Sequence, residues 1–324
     1  MGLRTPEQFL DGLKDCREVY YRGQRVDSVL THPELGVAAR HAAIDFALAE
    51  NPDHRDLATY QEGNETCSAY YRVPRDSKDL IARSKLIEAG TVEGATLVLL
   101  IKEIGTDALL GLRRVLARTK NSDGFARLES FHRECRERDL ALAVAQTDVK
   151  GDRSKRPAGQ VDPDVYLRVV EKKSDGIVVR GAKVHTSCTP YVDEVIVLPS
   201  RSMAAGEEDW SMAFAVPVAT PGIRMYASDF LHGTEDPFVR PISTKHKMVE
   251  TLTVFDDVFV PWERVFFHDR PDLAGAVALA FVERLEAGCV MTLLATVTSP
   301  IGTFHWSAAA CSSIMRAAAP PRRT

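Results

Sequence analysis

The sequence predicts an α+β protein: a helical first zone, a β-rich middle and a return to helix near the end. Two observations carry this. Apolar residues recur at helical spacing up to about residue 140, and from Ala141 the pattern changes to short apolar runs bounded by turn residues. No helical pattern separates the runs between 141 and 268. That argues for an antiparallel sandwich or barrel and against a doubly wound sheet. The zones are 1–140 (helical domain), 141–270 (β domain) and 271–324 (the start of a further helical domain).

The first zone opens at Thr5-Pro6-Glu7-Gln8, a capping hydroxyl, a proline at the first helical position and an amide three residues after the cap. Phe9, Leu10, Leu13 and Cys16 follow at helical spacing. His32-Pro33 interrupts, and Leu35 to Leu48 resumes the pattern. Asp79 to Ile104 predicts a long helix with a break near Gly90, followed by helices over 107–116 and 125–140. On the last, the charges read as a solvated face. In the middle zone, strands are predicted over 141–145, 165–170, 176–184, 192–198, 212–218, 223–226, 251–255 and 258–261. A hairpin is expected across Ser174-Asp175-Gly176, and Asp256-Asp257 divides the last two runs. Residues 273–285 return to helical spacing. Residues 286–324 are rich in Ala, Ser and Thr and carry little amphipathic order.

The 324 residues carry 45% hydrophobic and 27% charged side chains and a net charge of −4, enough length for two cores. Without a basic excess, nucleic-acid binding is not expected. The N-terminus lacks the apolar run of a signal peptide, and no stretch reaches the ~18 apolar residues of a membrane span. Six dispersed cysteines without a Cys-x-x-Cys pair predict reduced thiols in a cytoplasm. A dinucleotide fingerprint, a nucleophile elbow, His-Glu-x-x-His and a phosphate-binding lysine loop are all missing from the sequence.

The most informative stretch is Gln146-Thr147-Asp148-Val149-Lys150-Gly151-Asp152-Arg153. It precedes one pair of strands, and Gly181-Ala182-Lys183-Val184-His185-Thr186-Ser187 closes that pair. Two polar loops are thereby expected at one end of the β zone, where a flat, polar-edged cofactor could lie across the strand ends. Asp152 and Arg153 read as a loop ion pair or as loop-orienting residues, and Arg83 as a solvated arginine.

These residues carry a resemblance. Thr5-Pro6-Glu7-Gln8-Phe9, His32-Pro33, Gly105-x-Asp107-Ala108, Thr147-Asp148-x-Lys150-Gly151-Asp152-Arg153, Asp162-Pro163-Asp164, Val169-Val170-Glu171-Lys172, Asp175 to Lys183 and Val254-Phe255-Asp256-x-Val258-Phe259-Val260-Pro261 resemble the 4-hydroxyphenylacetate 3-hydroxylase / 4-hydroxybutyryl-CoA dehydratase flavoproteins over about 1–285. The resemblance implies an acyl-CoA dehydrogenase-like fold and a homo-oligomer. The final helical domain is expected to be cut short, which would leave the cofactor poorly covered. The implied cofactor is FAD, with FMN as the alternative. The implied contacts are Gln146, Thr147, His185, Thr186 and Ser187. His185 reads equally as a turn histidine, and Cys188 stands where the family commonly has glycine, which puts close backbone approach to the ring in question.

Function divides three ways on this resemblance. A phenol monooxygenase would use reduced flavin from a separate reductase, and its substrate would be a small aromatic molecule. A dehydratase or isomerase would act on a CoA ester. A third reading is a catalytically empty fragment. In the dehydratase branch an iron–sulfur cluster takes three thiolates and a histidine, two of the thiolates from the helix around 94–104. This chain has no cysteine there, so no cluster is expected. His132-x-x-Cys135 and His185-x-x-Cys188 are two-ligand pairs that arise readily by chance, and no zinc is expected.

Overall fold

The computed structural model describes residues 2–94, 100–119, 121–229, 236–239, 241, 244–245 and 247–283. The chain opens with α1 (Pro6–Asp11), then β1 (Glu18–Tyr21) and β2 (Gln24–Arg25). The short helices α2 (Leu35–Ala42), α3 (Ile44–Ala47) and α4 (Arg55–Ala58) follow, then the hairpin β3 (Thr59–Glu62) and β4 (Glu65–Ser68). Three long helices come next: α5 (Ser77–Gly94), α6 (Leu100–Leu116) and α7 (Ser122–Arg138).

Strands then dominate: β5 (Leu142–Ala145), β6 (Arg168–Lys172), β7 (Gly176–Val184), β8 (Glu194–Val197), β9 (Ala213–Pro217), β10 (Ile223–Ala227), β11 (Thr251–Pro261) and β12 (Val265–Phe267). Residues 271–283 form the last described helix, α8.

Two sheets build the β zone, in the order β2-β1-β10-β11-β7-β6 and β12-β9-β8-β5. Most neighbours are antiparallel. The exceptions are β1 with β10 and β5 with β8, which run parallel. One core lies between the sheets, with Val179, Val195, Phe214 and Phe255 among its members. A second packs α6, α7 and α8 on the smaller sheet through Leu109, Phe131, Leu142, Ile196, Phe266 and Val277.

The cap read from Thr5-Pro6-Glu7-Gln8 forms in both directions: Gln8 N–H donates to Thr5 Oγ1 at 3.2 Å, and Thr5 N–H donates to Gln8 Oε1 at 2.9 Å. Elsewhere the first zone departs from expectation. It is not helical throughout, because β1 adds an edge to the large sheet and β3–β4 form a hairpin. In β1 only Val19 and Tyr21 face the core. Four residues are too few to declare a period, and their partner strand lies far away in sequence, Glu18 pairing with Arg224.

Gly90 does not break α5, and the residues expected to separate two helices at 104–107 lie inside α6. The runs 251–255 and 258–261 form one strand, β11, whose register shifts between Phe255 and Val258. Asp257 there takes φ 53°, a bulge that lets the strand continue. The call on residues 286–324 lies outside the described residues.

Arg83 is a correction. It is buried, not solvated. Its guanidinium donates to Tyr70 O at 2.9 Å, Thr106 Oγ1 at 2.8 Å and Asp107 Oδ1 at 2.8 Å. Thr106 and Asp107 lie on α6, out of reach of any local pattern. Lys102, also on α6, is 1% exposed, and its Nζ meets both oxygens of Asp139 at 2.8 and 2.9 Å. Burial holds the carboxyl of Asp45 up to about 7 against the pull of Lys102, and that of Glu103 up to about 8. Burial likewise raises Glu194 to about 7, opposed by Arg264.

Gly105 sets how closely α6 approaches β5. A Cβ there would lie 2.1 Å from Leu142 Cβ, with both backbones fixed by regular structure. Gly105→Ala is expected to destabilise the protein by about 1–3 kcal/mol or more, read as a lower urea midpoint.

The three raised carboxyls give a pH dependence. Unfolded, they titrate near 4. Folded, they keep their protons to about 7 or 8. Between these limits the native state binds more protons, so stability is fullest below the unfolded values and declines as pH rises through the folded ones. Urea midpoints at about pH 5 and about pH 8.5 should fall in that direction, and Glu103→Gln should flatten the slope.

Candidate functional site

β5 ends at Ala145, and the next two residues, Gln146 and Thr147, are half-buried. β7 ends at Val184, followed by an exposed His185. The two strands belong to different sheets, yet their ends are bonded together. Val184 N–H donates to Thr147 O at 2.8 Å, and Asp148 forms a single antiparallel bridge with Lys183.

A buried ion pair locks this junction. Lys183 is 2% exposed, and its ammonium spends its three donors on Asp148 Oδ1 at 2.8 Å, Gln146 O at 2.9 Å and Leu198 O at 3.0 Å. Burial lowers the Lys183 pKa and the Asp148 charge opposes that shift. Asp148 Oδ1 also accepts from Leu167 N–H at 3.3 Å.

The five expected contact residues are placed differently from one another. Gln146 directs its amide at the Ala278 carbonyl of α8, at 3.4 Å. Thr147 uses its carbonyl in the junction, and its hydroxyl makes no hydrogen bond among the described residues. His185 takes a left-handed φ of 56°. Thr186 is fully buried: its hydroxyl bonds the Thr251 carbonyl at 3.0 Å, the Thr251 hydroxyl, and the Thr253 hydroxyl at 2.6 Å. In this chain the Thr186 side chain serves the interior. Ser187 is half-buried and donates to Glu250 Oε1 at 2.6 Å.

Cys188 adopts φ 67°, the left-handed conformation that glycine takes most readily. Its side chain lies in the core with Tyr191, where burial pushes the thiol up to about 12. Asp152 accepts from Ser154 N–H at 2.9 Å and Ser154 Oγ at 2.7 Å, closing its own loop. His132 bonds the Tyr71 carbonyl at 2.9 Å and is spent on structure. Among the described residues no group of three or more His, Cys, Asp or Glu side chains could hold a metal, and no helix is long and apolar enough to cross a membrane.

The family described as 4-hydroxyphenylacetate 3-hydroxylase N terminal matches residues 5–267. The chain belongs to this family. It is 32% identical over 275 residues to the oxygenase component of 4-hydroxyphenylacetate 3-monooxygenase from Thermus thermophilus, covering 83% of this chain and 56% of that protein. It is 29% identical over 294 residues to the 4-hydroxybutyryl-CoA dehydratase/vinylacetyl-CoA-Delta-isomerase of Clostridium aminobutyricum, covering 86% of this chain and 59% of the relative. Among solved structures it resembles the oxygenase component (HpaB) of 4-hydroxyphenylacetate 3-monooxygenase complexed with FAD. That match has a TM-score of 0.82 and 27% identity, over 90% of this chain and 62% of the other. The fold is therefore the acyl-CoA dehydrogenase-like one expected. The chain spans just over half the length of the curated relatives it matches.

Four residues that matter here received no role from the sequence. Asp148 and Lys183 lie inside the motifs, but nothing local says that they pair. Glu250 and Thr251 stand at the head of β11 and meet the second loop only through the fold. Lys183→Met should cost about 3–5 kcal/mol, because it strands a buried carboxylate. Lys172→Ala, which removes an exposed partner of Asp269, should cost at most about 1 kcal/mol. Paired urea titrations check the contrast.

Proposed function

We propose that this chain forms the flavin-binding part of a reduced-flavin-dependent phenol monooxygenase. FAD would lie on the junction of the two loops, a separate reductase would supply it reduced, and the substrate would be a small aromatic molecule. The observation that carries this reading is the junction itself. Two polar loops from different sheets are bonded at Thr147 and Val184 and locked by Lys183, in a fold shared with an FAD-bound oxygenase component.

The residues fit such a group. The Thr147 hydroxyl is free among the described residues, Ser187 is half-buried, and Glu250 Oε2 is buried without a partner. Flavin supplies the oxygen chemistry when bound. The chain's own part is to hold the ring's polar edge with these groups and to exclude water there. Thr186 acts from behind, fixing the second loop to β11 through Thr251 and Thr253. Leu167, Asp148 and Lys183 fix the first.

The monooxygenase branch is favoured over the CoA-ester branch by the sequence of 94–104. Without thiolates there, the cluster of the dehydratases has lost two ligands.

The test is flavin titration. The purified chain should quench FAD fluorescence saturably, and Thr147→Val should weaken binding about ten- to a hundredfold, the equivalent of one lost hydrogen bond to a buried acceptor. Equal affinities in the two proteins would remove Thr147 from the site.

A further inference from the structure

Arg17 is a buried cation to which nothing above gives a role. It sits between α1 and β1, and its side chain is 3% exposed. Its guanidinium is divided between two partners. Nε and Nη2 donate to Asp15 Oδ1 and Oδ2, both at 2.7 Å. Nη1 donates to Pro190 O at 2.9 Å and to Val192 O at 3.0 Å. Asp15 thus aims the planar fork, and its remaining donors cross from the first zone into the β zone, over 173 residues of sequence.

The two carbonyls flank a single 3₁₀ turn, Thr189–Tyr191, which ends the second polar loop. Arg17 supplies the donors that such backbone acceptors need away from water. The rest of the loop is tied within the β zone. Val184, at its start, is bonded to Thr147. Thr186 N–H donates to Thr251 O at 3.1 Å, and Cys188 N–H donates to Val249 O at 2.8 Å. Tyr191 Oη accepts from Val249 N–H at 3.1 Å. Arg17 holds the same loop from the N-terminal segment. Between its ends, His185 and Cys188 keep left-handed backbone, which persists only where the surroundings over-determine it. Ser187 lies between these two residues, so its place follows from how firmly both ends of the loop are held.

We infer that Arg17 is a positioning residue for the flavin: by pinning the carbonyls of Pro190 and Val192 it keeps the second polar loop in the shape that receives the ring. The inference rests on the flavin reading above. Arg17 acts through the turn. A neutral side chain of similar length fills the same space but leaves both carbonyls without this donor, and the loop relaxes at its far end.

The experiment compares the 324-residue wild type with Arg17→Met, Asp15→Asn and Asn121→Ala. Three quantities are read: the urea midpoint without flavin, FAD affinity by fluorescence quenching, and the visible absorption of the flavin at saturation. Asn121 caps α7 by accepting from Gly124 N–H at 3.0 Å, so Asn121→Ala is a control destabilised on another element. Arg17→Met should weaken FAD binding about tenfold, the equivalent of one lost hydrogen bond, and shift the absorption of the bound ring. Asp15→Asn leaves the arginine in place but loosens its aim. It should weaken FAD about threefold and shift the spectrum in the same direction. Asn121→Ala should lower the urea midpoint and leave both flavin readings unchanged. Wild-type affinity and spectrum in folded Arg17→Met overturn the inference and leave the flavin reading standing. So does a loss of affinity with an unshifted spectrum, or one that Asn121→Ala shares, which is what general destabilisation gives. If Arg17→Met does not fold, Asp15→Asn decides, and unchanged flavin readings there overturn the inference. Failure of wild type to bind FAD removes the flavin reading and this inference together.

Discussion

The buried pair between Lys102 and Asp139 is the contact on which the placement of the rest depends. Both side chains are 1% exposed. Two charges taken out of water are tolerated only where geometry and further hydrogen bonds compensate them. Here they do. Asp139 also accepts from Arg4 N–H at 3.1 Å, and the Arg4 guanidinium bonds Asp193, whose other contact is Ala141 N–H at 2.6 Å. Asp139 sits in the left-handed conformation at the end of α7. One network therefore joins the chain start, α6, the end of α7, the entry to β5 and the entry to β8. The turn out of the helices is held by these charge pairs.

From that point the path to the site is short. β5 has four residues, all buried, and Gly105 lets α6 lie directly on it. Its far end is Gln146 and Thr147. The second buried pair, Lys183 with Asp148, fastens that end to β7. So β5 is a strut with an ion pair at each end, and the loops it carries have little freedom to shift. Left-handed residues gather on the same loops: Lys150 and Gly151 on one, His185 and Cys188 on the other. Non-glycine residues in that region cost about 1 kcal/mol or more each. They persist where the surroundings over-determine the backbone, and the Lys183 clamp supplies that determination.

Much of this was legible in the sequence, and the limits have a common cause. Local signals held. The Thr5–Gln8 cap, the change of period at Ala141 and the turn at Ser174-Asp175-Gly176 all depend on neighbours within a few residues. The family resemblance also held, because its motifs are contiguous. What failed was chiefly what depends on distant partners, together with the local breaks read at Gly90, 104–107 and Asp256-Asp257. β1 pairs with β10, and nothing in Val19 or Tyr21 announces it. Arg83 looks solvated on its own helix, and only α6 gives it Thr106 and Asp107. Glu250 precedes a strand in an ordinary Lys-Met-Val-Glu run. Its significance comes from Ser187, 63 residues earlier.

The loop from His185 to Thr189 shows how residues of one chemical type can part company. As a string, Thr186, Ser187 and Thr189 are three hydroxyls offered to a ligand. The fold divides them. Thr186 is 0% exposed and closes a triangle with Thr251 and Thr253. Thr189 turns back to the Thr186 carbonyl at 2.9 Å. Only Ser187 faces outward, and its proton is already claimed by Glu250. The cysteine beside it completes the division. Cys188 accepts the left-handed backbone that a glycine would take without strain, and it sends its side chain into the core against Tyr191. The backbone geometry proper to glycine is thus kept without glycine. The Cys188 side chain goes into the core, and of the three hydroxyl residues Thr186 and Thr189 are buried while Ser187 is half-buried.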